Sequence, residues 1–175
     1  MQANRLLDLF CELVRIESPS FHEAAMAARC ADGCAPSASR CASTTGRPRG
    51  LRHRQPRRAS SGTRAGHVVF SAHMDTVQPC AGIEPVVVDG IALGGRHHPV
   101  GRRQGRRGGH PRSVRSVLEA DAPRPDVTVL FTTCEEQHLL GSSALADGLL
   151  PAGAPCYVLD ADGAPGTVIT GAPCH

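Results

Sequence analysis

The sequence predicts an α/β fold, a mixed and mostly parallel sheet flanked by helices, and three observations carry that expectation. An amphipathic helical pattern opens the chain, three short β-branched runs follow it at wide spacing, and a helix-like segment lies between the last two runs. Strand, helix, strand is the order that the crossover connections of a parallel sheet produce.

From Asn4 to Ile16 the apolar residues Leu6, Leu7, Leu9, Phe10, Leu13 and Val14 recur at helical spacing, with Asp8, Glu12 and Arg15 on the other face. In "ESPSFHE", which follows, Ser20 is expected to cap a second helix running from Ala24 through Ala31, with Glu23 at the capping-box position. The run His67 to Ala72 in "GHVVFSAHMDTV" is of the kind that forms a strand buried on both faces. Val127 to Thr132 in "DVTVLFTTCEEQ" and Cys156 to Asp160 in "CYVLDADG" read the same way. A helix is expected from about Ser142 to Asp147, stopped near Gly148.

The 175 residues suit one domain, and 41% of them are apolar, enough for a core. Charge is divided unevenly. There is no lysine, and most of the 19 arginines fall in two blocks, residues 34–61 and 94–112, that contain no Asp or Glu. The remainder is acidic, so the chain reads as an acidic protein interrupted by two basic segments. Both segments lack an apolar period and are rich in Pro, Gly and Ser, so they are expected to be irregular. The eight cysteines show no CxxC spacing and no leader opens the chain, which favours a reducing cytoplasm. Apolar runs fall well short of the ~18 residues of a membrane span, so no membrane partner is expected.

Polar residues stand where each apolar run stops: His73 with Asp75, Glu135 with Glu136, and Asp160 with Asp162. Ligands of open α/β sheets bind at such strand ends. His73 and Asp75, two apart at a strand exit, point to the same side, so the imidazole can bind a metal while the carboxylate steers it. Glu135 and Glu136 are adjacent and cannot share one direction; one can bind metal while the other acts as general base. Each pair also has a plain reading: a strand-end pair, a solvated acidic loop, or turn formers ahead of Gly163. Together they make the nitrogen and oxygen donor set that zinc accepts.

"SAHMDTV", "TTCEEQHLLGSSAL" and "YVLDADG", in that order, resemble the dizinc aminoacylase and carboxypeptidase metallopeptidases, peptidase T-like branch, and the opening "LLDLFCELVRIESPSFHE" is similar to that family's first helices. The resemblance implies a zinc-peptidase catalytic domain, present in part and without its lid or dimerisation domain. It makes His73 a ligand of one zinc and Asp75 the carboxylate that orients it. Glu135 becomes the general base toward a water that zinc activates, and Glu136 a ligand of that same cation. Asp160, with Asp162 as the alternative, would bind the other zinc. The implied activity is zinc-dependent hydrolysis of amide bonds in short peptides, as an aminopeptidase or tripeptidase. Deacylation of N-acyl amino acids and carboxypeptidase action stay open within the same family.

Two family parts are missing, the aspartate that bridges the two zinc ions and a final histidine ligand further downstream. No Asp or Glu occurs between Asp89 and Glu119, and the basic string "GRRQGRRGGH" stands where an Asp-Asp-Lys motif is expected. Read from the second base of each codon, Gly101 through Pro111 allow Ala-Asp-Asp-Lys-Ala-Gly-Val-Ala-Ala-Ile-Leu. Similar shifts over Arg52 to Ser61 and Cys34 to Cys41 allow strand-like and helix-like sequence. These readings predict that compensated frameshifts produced both basic blocks and that the chain as it stands is inactive. The rival expectation, an arginine-rich nucleic-acid binder, is disfavoured because neither block contains a base-stacking Phe, Tyr or Trp.

Overall fold

The computed structural model describes residues 2–33, 41–43, 56–88, 91–94, 123–158 and 160. Helix α1 (Gln2–Val14) forms over the expected segment, with Leu13 and Val14 buried and Asp8, Glu12 and Arg15 exposed. Helix α2 (Ala24–Gly33) turns Met26 and Cys30, one turn apart, toward the core.

The start of α2 differs from the expected capping box. The Glu23 carbonyl accepts the first helical bond, from the Ala27 N–H at 2.8 Å, so Glu23 itself stands at the N-cap. Neither side chain folds back on the helix. The Ser20 hydroxyl donates to Asp75 and the Glu23 carboxylate accepts from Cys134. The physical reason is burial: water can satisfy an exposed helix amide, whereas an unmet group in the interior costs about 1–3 kcal/mol. The interior therefore claims both side chains.

The strands follow in the order β1 (Cys41–Ser43), β2 (Pro56–Ser60), β3 (His67–His73), β4 (Pro85–Val88), β5 (Ile91–Gly94), β6 (Asp126–Thr132) and β7 (Cys156–Val158), with the short helix α3 (Leu140–Ser143) between the last two. Five strands form one sheet in the order β1-β2-β6-β3-β7. The three expected strands β6, β3 and β7 are parallel, while β2 runs antiparallel to β6 and β1 antiparallel to β2. Sequence-period reasoning did not anticipate β1 and β2, which lie inside the first basic block; that block is therefore not irregular throughout. Backbone pairing requires no apolar period, and the open edge of β6 supplies a ladder to which β2 adds, with Pro56 at the first position, where its missing N–H is tolerated. Of the second basic block only Gly94, the end of β5, is described.

Burial grades across the sheet. Val127, Val129 and Phe131 of β6 join Leu13, Met26, Cys30 and Met74 in one core cluster, and Thr128, Leu130 and Thr132 on the opposite face are buried as well. Strand β3 is mostly half-buried and β7 is exposed, unlike the fully buried strands expected; among the described strands β7 borders β3 alone. Strands β4 and β5 pair in a separate two-stranded sheet, and in the segment before β4 Cys80 and Ile83 bury against Val14 of α1. Among the described residues, no helix is long and apolar enough to cross a membrane, and Cys11, Cys30, Cys80, Cys134 and Cys156 are free thiols.

Helix α3 starts earlier than expected and stops after one turn. Ser142 directs its hydroxyl to the Leu139 carbonyl, and beyond it Leu145 bonds back to Ser142 in the tighter three-residue pattern. Gly141 anchors this turn to the loop after β6: a Cβ there would collide with the Thr133 backbone. Gly141→Ala is expected to destabilise the protein by about 3 kcal/mol, as overpacking against immovable backbone does. Urea unfolding checks this, and a loss below about 1 kcal/mol would show that the loop yields.

Candidate active site

Because β3, β6 and β7 are parallel, their C-terminal ends lie along one edge of the sheet. His73 is the last residue of β3, level with Thr132 of β6; Glu135 and Glu136 follow β6, and Asp160 follows β7. The segment after β3 is clamped by the chain before α2. Ser18 donates its hydroxyl to the Met74 carbonyl at 3.0 Å, and Thr76 donates its amide to the Ser18 carbonyl at 2.8 Å. This holds Asp75 directly beneath the loop after β6.

Asp75 is completely buried, and its carboxylate collects donors from several directions. Oδ1 accepts the Glu135 N–H at 2.9 Å, and Oδ2 accepts the Glu136 N–H at 3.1 Å and the Ser20 hydroxyl at 2.8 Å. Burial pushes its pKa up, but His73, the two loop amides and Ser20 together outweigh that and hold it at about 2. Next to it, His73 Nδ1 lies 2.9 Å from the Asp75 carbonyl. A carbonyl only accepts, so Nδ1 carries the proton, and in the neutral ring Nε2 is left with its lone pair. This nitrogen lies 3.8 Å from Asp160 Oδ2.

His73, Glu135 and Glu136 each offer a ligand atom, and these atoms lie within 4.8 Å of one another. The set fits a dication such as zinc: one imidazole nitrogen and two carboxylates, with Asp160 3.8 Å from His73 Nε2. Glu135 is pushed above the ordinary carboxylate range. Burial is the main cause, and Glu136, Asp160 and Asp75 add to it while His73 opposes it. Such a carboxylate takes up a proton more readily than an exposed one.

The structure therefore brings His73, Asp75, Glu135, Glu136 and Asp160 to one place, while Asp162 lies outside the described residues, as does the stretch 95–122 where the bridging aspartate was expected. Sequence reasoning missed the supporting residues Ser18, Ser20 and Glu23 as parts of this site. "ESPSFHE" carried a signal, but its local pattern is that of a helix cap, and only the tertiary fold redirects the side chains.

The described residues form part of an α/β domain, a parallel-centred sheet flanked by helices, of the kind found in solved peptidase structures. It is similar to the aminopeptidase PepT from Bacillus cereus ATCC 10987, with a TM-score of 0.79 and 24% identity over 92% of this chain. It is also similar to a tripeptidase from Staphylococcus aureus subsp. aureus mu50, with a TM-score of 0.83 and 22% identity over 92% of this chain. An aminoacylhistidine dipeptidase from Vibrio alginolyticus matches with a TM-score of 0.61 and 19% identity over 90% of this chain. The chain spans 44% of the first two structures and 33% of the third. An uncharacterised protein of Bacillus subtilis (strain 168), YqjE, is 30% identical over 112 residues, which is 61% of this chain and 29% of that protein. No protein-family profile matches the chain.

The depressed pKa of Asp75 sets a pH dependence. Its folded value of about 2 lies below the ordinary 3.8, so its stabilising contribution is full above the ordinary value and disappears as pH falls through the folded one. In the metal-free protein this group is expected to contribute about 2 kcal/mol at neutral pH, lost between about pH 4 and pH 2. Urea unfolding across that window checks it: Asp75→Asn should flatten the acid slope, and an unchanged slope would assign it to other groups.

Proposed function

We propose that this chain carries the amide-hydrolysing site of a zinc-dependent peptidase acting on short peptides. The observation that carries the reading is the meeting of His73, Glu135, Glu136 and Asp160 at the ends of three parallel strands, above the buried carboxylate of Asp75. The likeness of fold to an aminopeptidase PepT and a tripeptidase supports peptides, with release of an N-terminal residue, as the substrate class.

In this reading His73 Nε2 and Glu136 hold the cation, and Asp160, the expected ligand of the other zinc, stands 3.8 Å from His73 Nε2. Zinc, when bound, supplies Lewis-acid polarisation of the scissile carbonyl and eases ionisation of water near neutral pH. Asp75 keeps the imidazole in one tautomer and one orientation. Glu135, raised by burial, takes the proton from the attacking water and returns it to the departing amine. Its neighbour Glu136 brings a carboxylate oxygen within 4.8 Å of it, so one acid can hold the cation while the other serves the water beside it.

The same reading predicts that the chain as it stands is inactive. With no Asp or Glu between Asp89 and Glu119, a second cation lacks the shared carboxylate that offsets repulsion between two dications. The chain is therefore expected to hold one zinc and to leave short peptides intact, as the frameshifts proposed for its basic blocks would imply.

Isothermal titration with Zn²⁺ and chromatography of a tripeptide after incubation test the proposal. About one equivalent should bind; His73→Ala and Glu136→Ala should weaken binding by at least about tenfold, while Glu135→Gln should leave it within about threefold. Indifference of affinity to His73→Ala would sink the metal assignment. Two zinc ions per chain with measurable turnover would overturn the expected inactivity.

A further inference from the structure

We propose that Glu23 is a positioning residue for Glu135 and Glu136, acting through the main chain of Cys134; this deepens the function proposed above and rests on it. Glu23 is completely buried at the start of α2, where a carboxylate carries a desolvation cost that an aliphatic side chain does not. Its Oε1 accepts the Cys134 N–H at 2.9 Å and faces the Cys134 sulfur at 3.3 Å. Oε2 has no hydrogen-bond partner among the described residues. A buried carboxylate with half of its capacity unused is poorly explained as a stabilising device. It is well explained as a hold on one particular amide.

That amide belongs to the residue immediately before Glu135. Cys134 has a φ of 50°, in the left-handed region, which an L-residue adopts at a cost of about 1 kcal/mol and keeps only when its surroundings impose it. Asp75 secures the next two amides and leaves the Cys134 N–H, in the peptide plane ahead of them, to Glu23. Glu23 fixes that plane. With three successive N–H groups held, the directions in which Glu135 and Glu136 project are set before any cation arrives. The Cys134 thiol takes no chemical part: burial, with Glu23 beside it, pushes its pKa up to about 12 and keeps it a neutral donor.

The test compares Glu23→Ala and Glu23→Gln with Met26→Ala, a core truncation in the same helix that touches no loop amide. Hydrogen exchange of the Cys134 amide and iodoacetamide labelling of Cys134 are read in the metal-free protein, and Zn²⁺ affinity by calorimetry. Glu23→Ala should speed Cys134 exchange by about 100-fold, expose the thiol to labelling and weaken Zn²⁺ binding by about 10–100-fold. Glu23→Gln retains an acceptor oxygen for the amide and should recover most of both losses. Met26→Ala should leave Zn²⁺ affinity within about threefold. The proposal is overturned if Glu23→Ala leaves Cys134 exchange unchanged, or if Met26→Ala weakens Zn²⁺ binding as much as Glu23→Ala does. If the parent chain binds no Zn²⁺, the proposed function fails, and exchange and labelling of Cys134 alone decide the role of Glu23.

Discussion

Three consecutive main-chain N–H groups, those of Cys134, Glu135 and Glu136, point into the protein and are met there by two buried carboxylates, Glu23 and Asp75. A loop leaving a strand normally presents its amides to water or to a ligand. Here the anion is internal, supplied by side chains from the start of α2 and the exit of β3. Everything chemically interesting depends on this arrangement, because it decides which way the two glutamates face. It also explains the clamp formed by Ser18, Ser20 and Thr76, which keeps Asp75 from rotating away from the donors that compensate its burial.

The same arrangement concentrates negative charge. Asp75 is stabilised as an anion by its donors, but Glu135 lies among Glu136, Asp160 and Asp75 with His73 as its opposing neighbour. The fully buried Asp75 and the half-buried Glu135 thus diverge in proton affinity, because donors offset the burial of Asp75 whereas burial, aided by like charges, raises Glu135. This division suits a site in which one acid only orients and another moves a proton. It also means that the metal-free site is electrostatically uneven, a condition a dication relieves.

Much of this was legible in the sequence because it depends on short-range pattern. The β-branched runs of β3 and β6 declare themselves, and the polar residues that end them fall at one sheet edge once the strands are parallel. What escaped depends on contacts between distant segments. Ser20 and Glu23 look like a capping box because the helix signal is local, whereas the partners that claim them, Asp75 and Cys134, are far away in the chain. Strand β2 carries no strand signal, since the pairing that makes it a strand is a property of β6's open edge. The pairing of β4 with β5 went unread, although Asp-Gly between apolar runs is a sequence signal for a tight hairpin. Helix α3 was misjudged because its alanine-rich continuation lost to a serine hydroxyl that took a backbone carbonyl.

The bond between Glu23 and Cys134 joins residues 111 positions apart, and the bond between Asp75 and Glu135 spans 60. During synthesis both acidic side chains emerge long before the amides that will receive them, so neither can be buried at little cost while the chain is short. The helices and β3 must therefore wait in a loosely assembled state until β6 and its loop leave the ribosome. Closing these long loops is slow compared with forming local helix. The two carboxylates thus act as a timing constraint: the sheet's edge is completed in the same event that satisfies them, and a chain that stalls before residue 136 presents two unsatisfied acids to the cell's quality control.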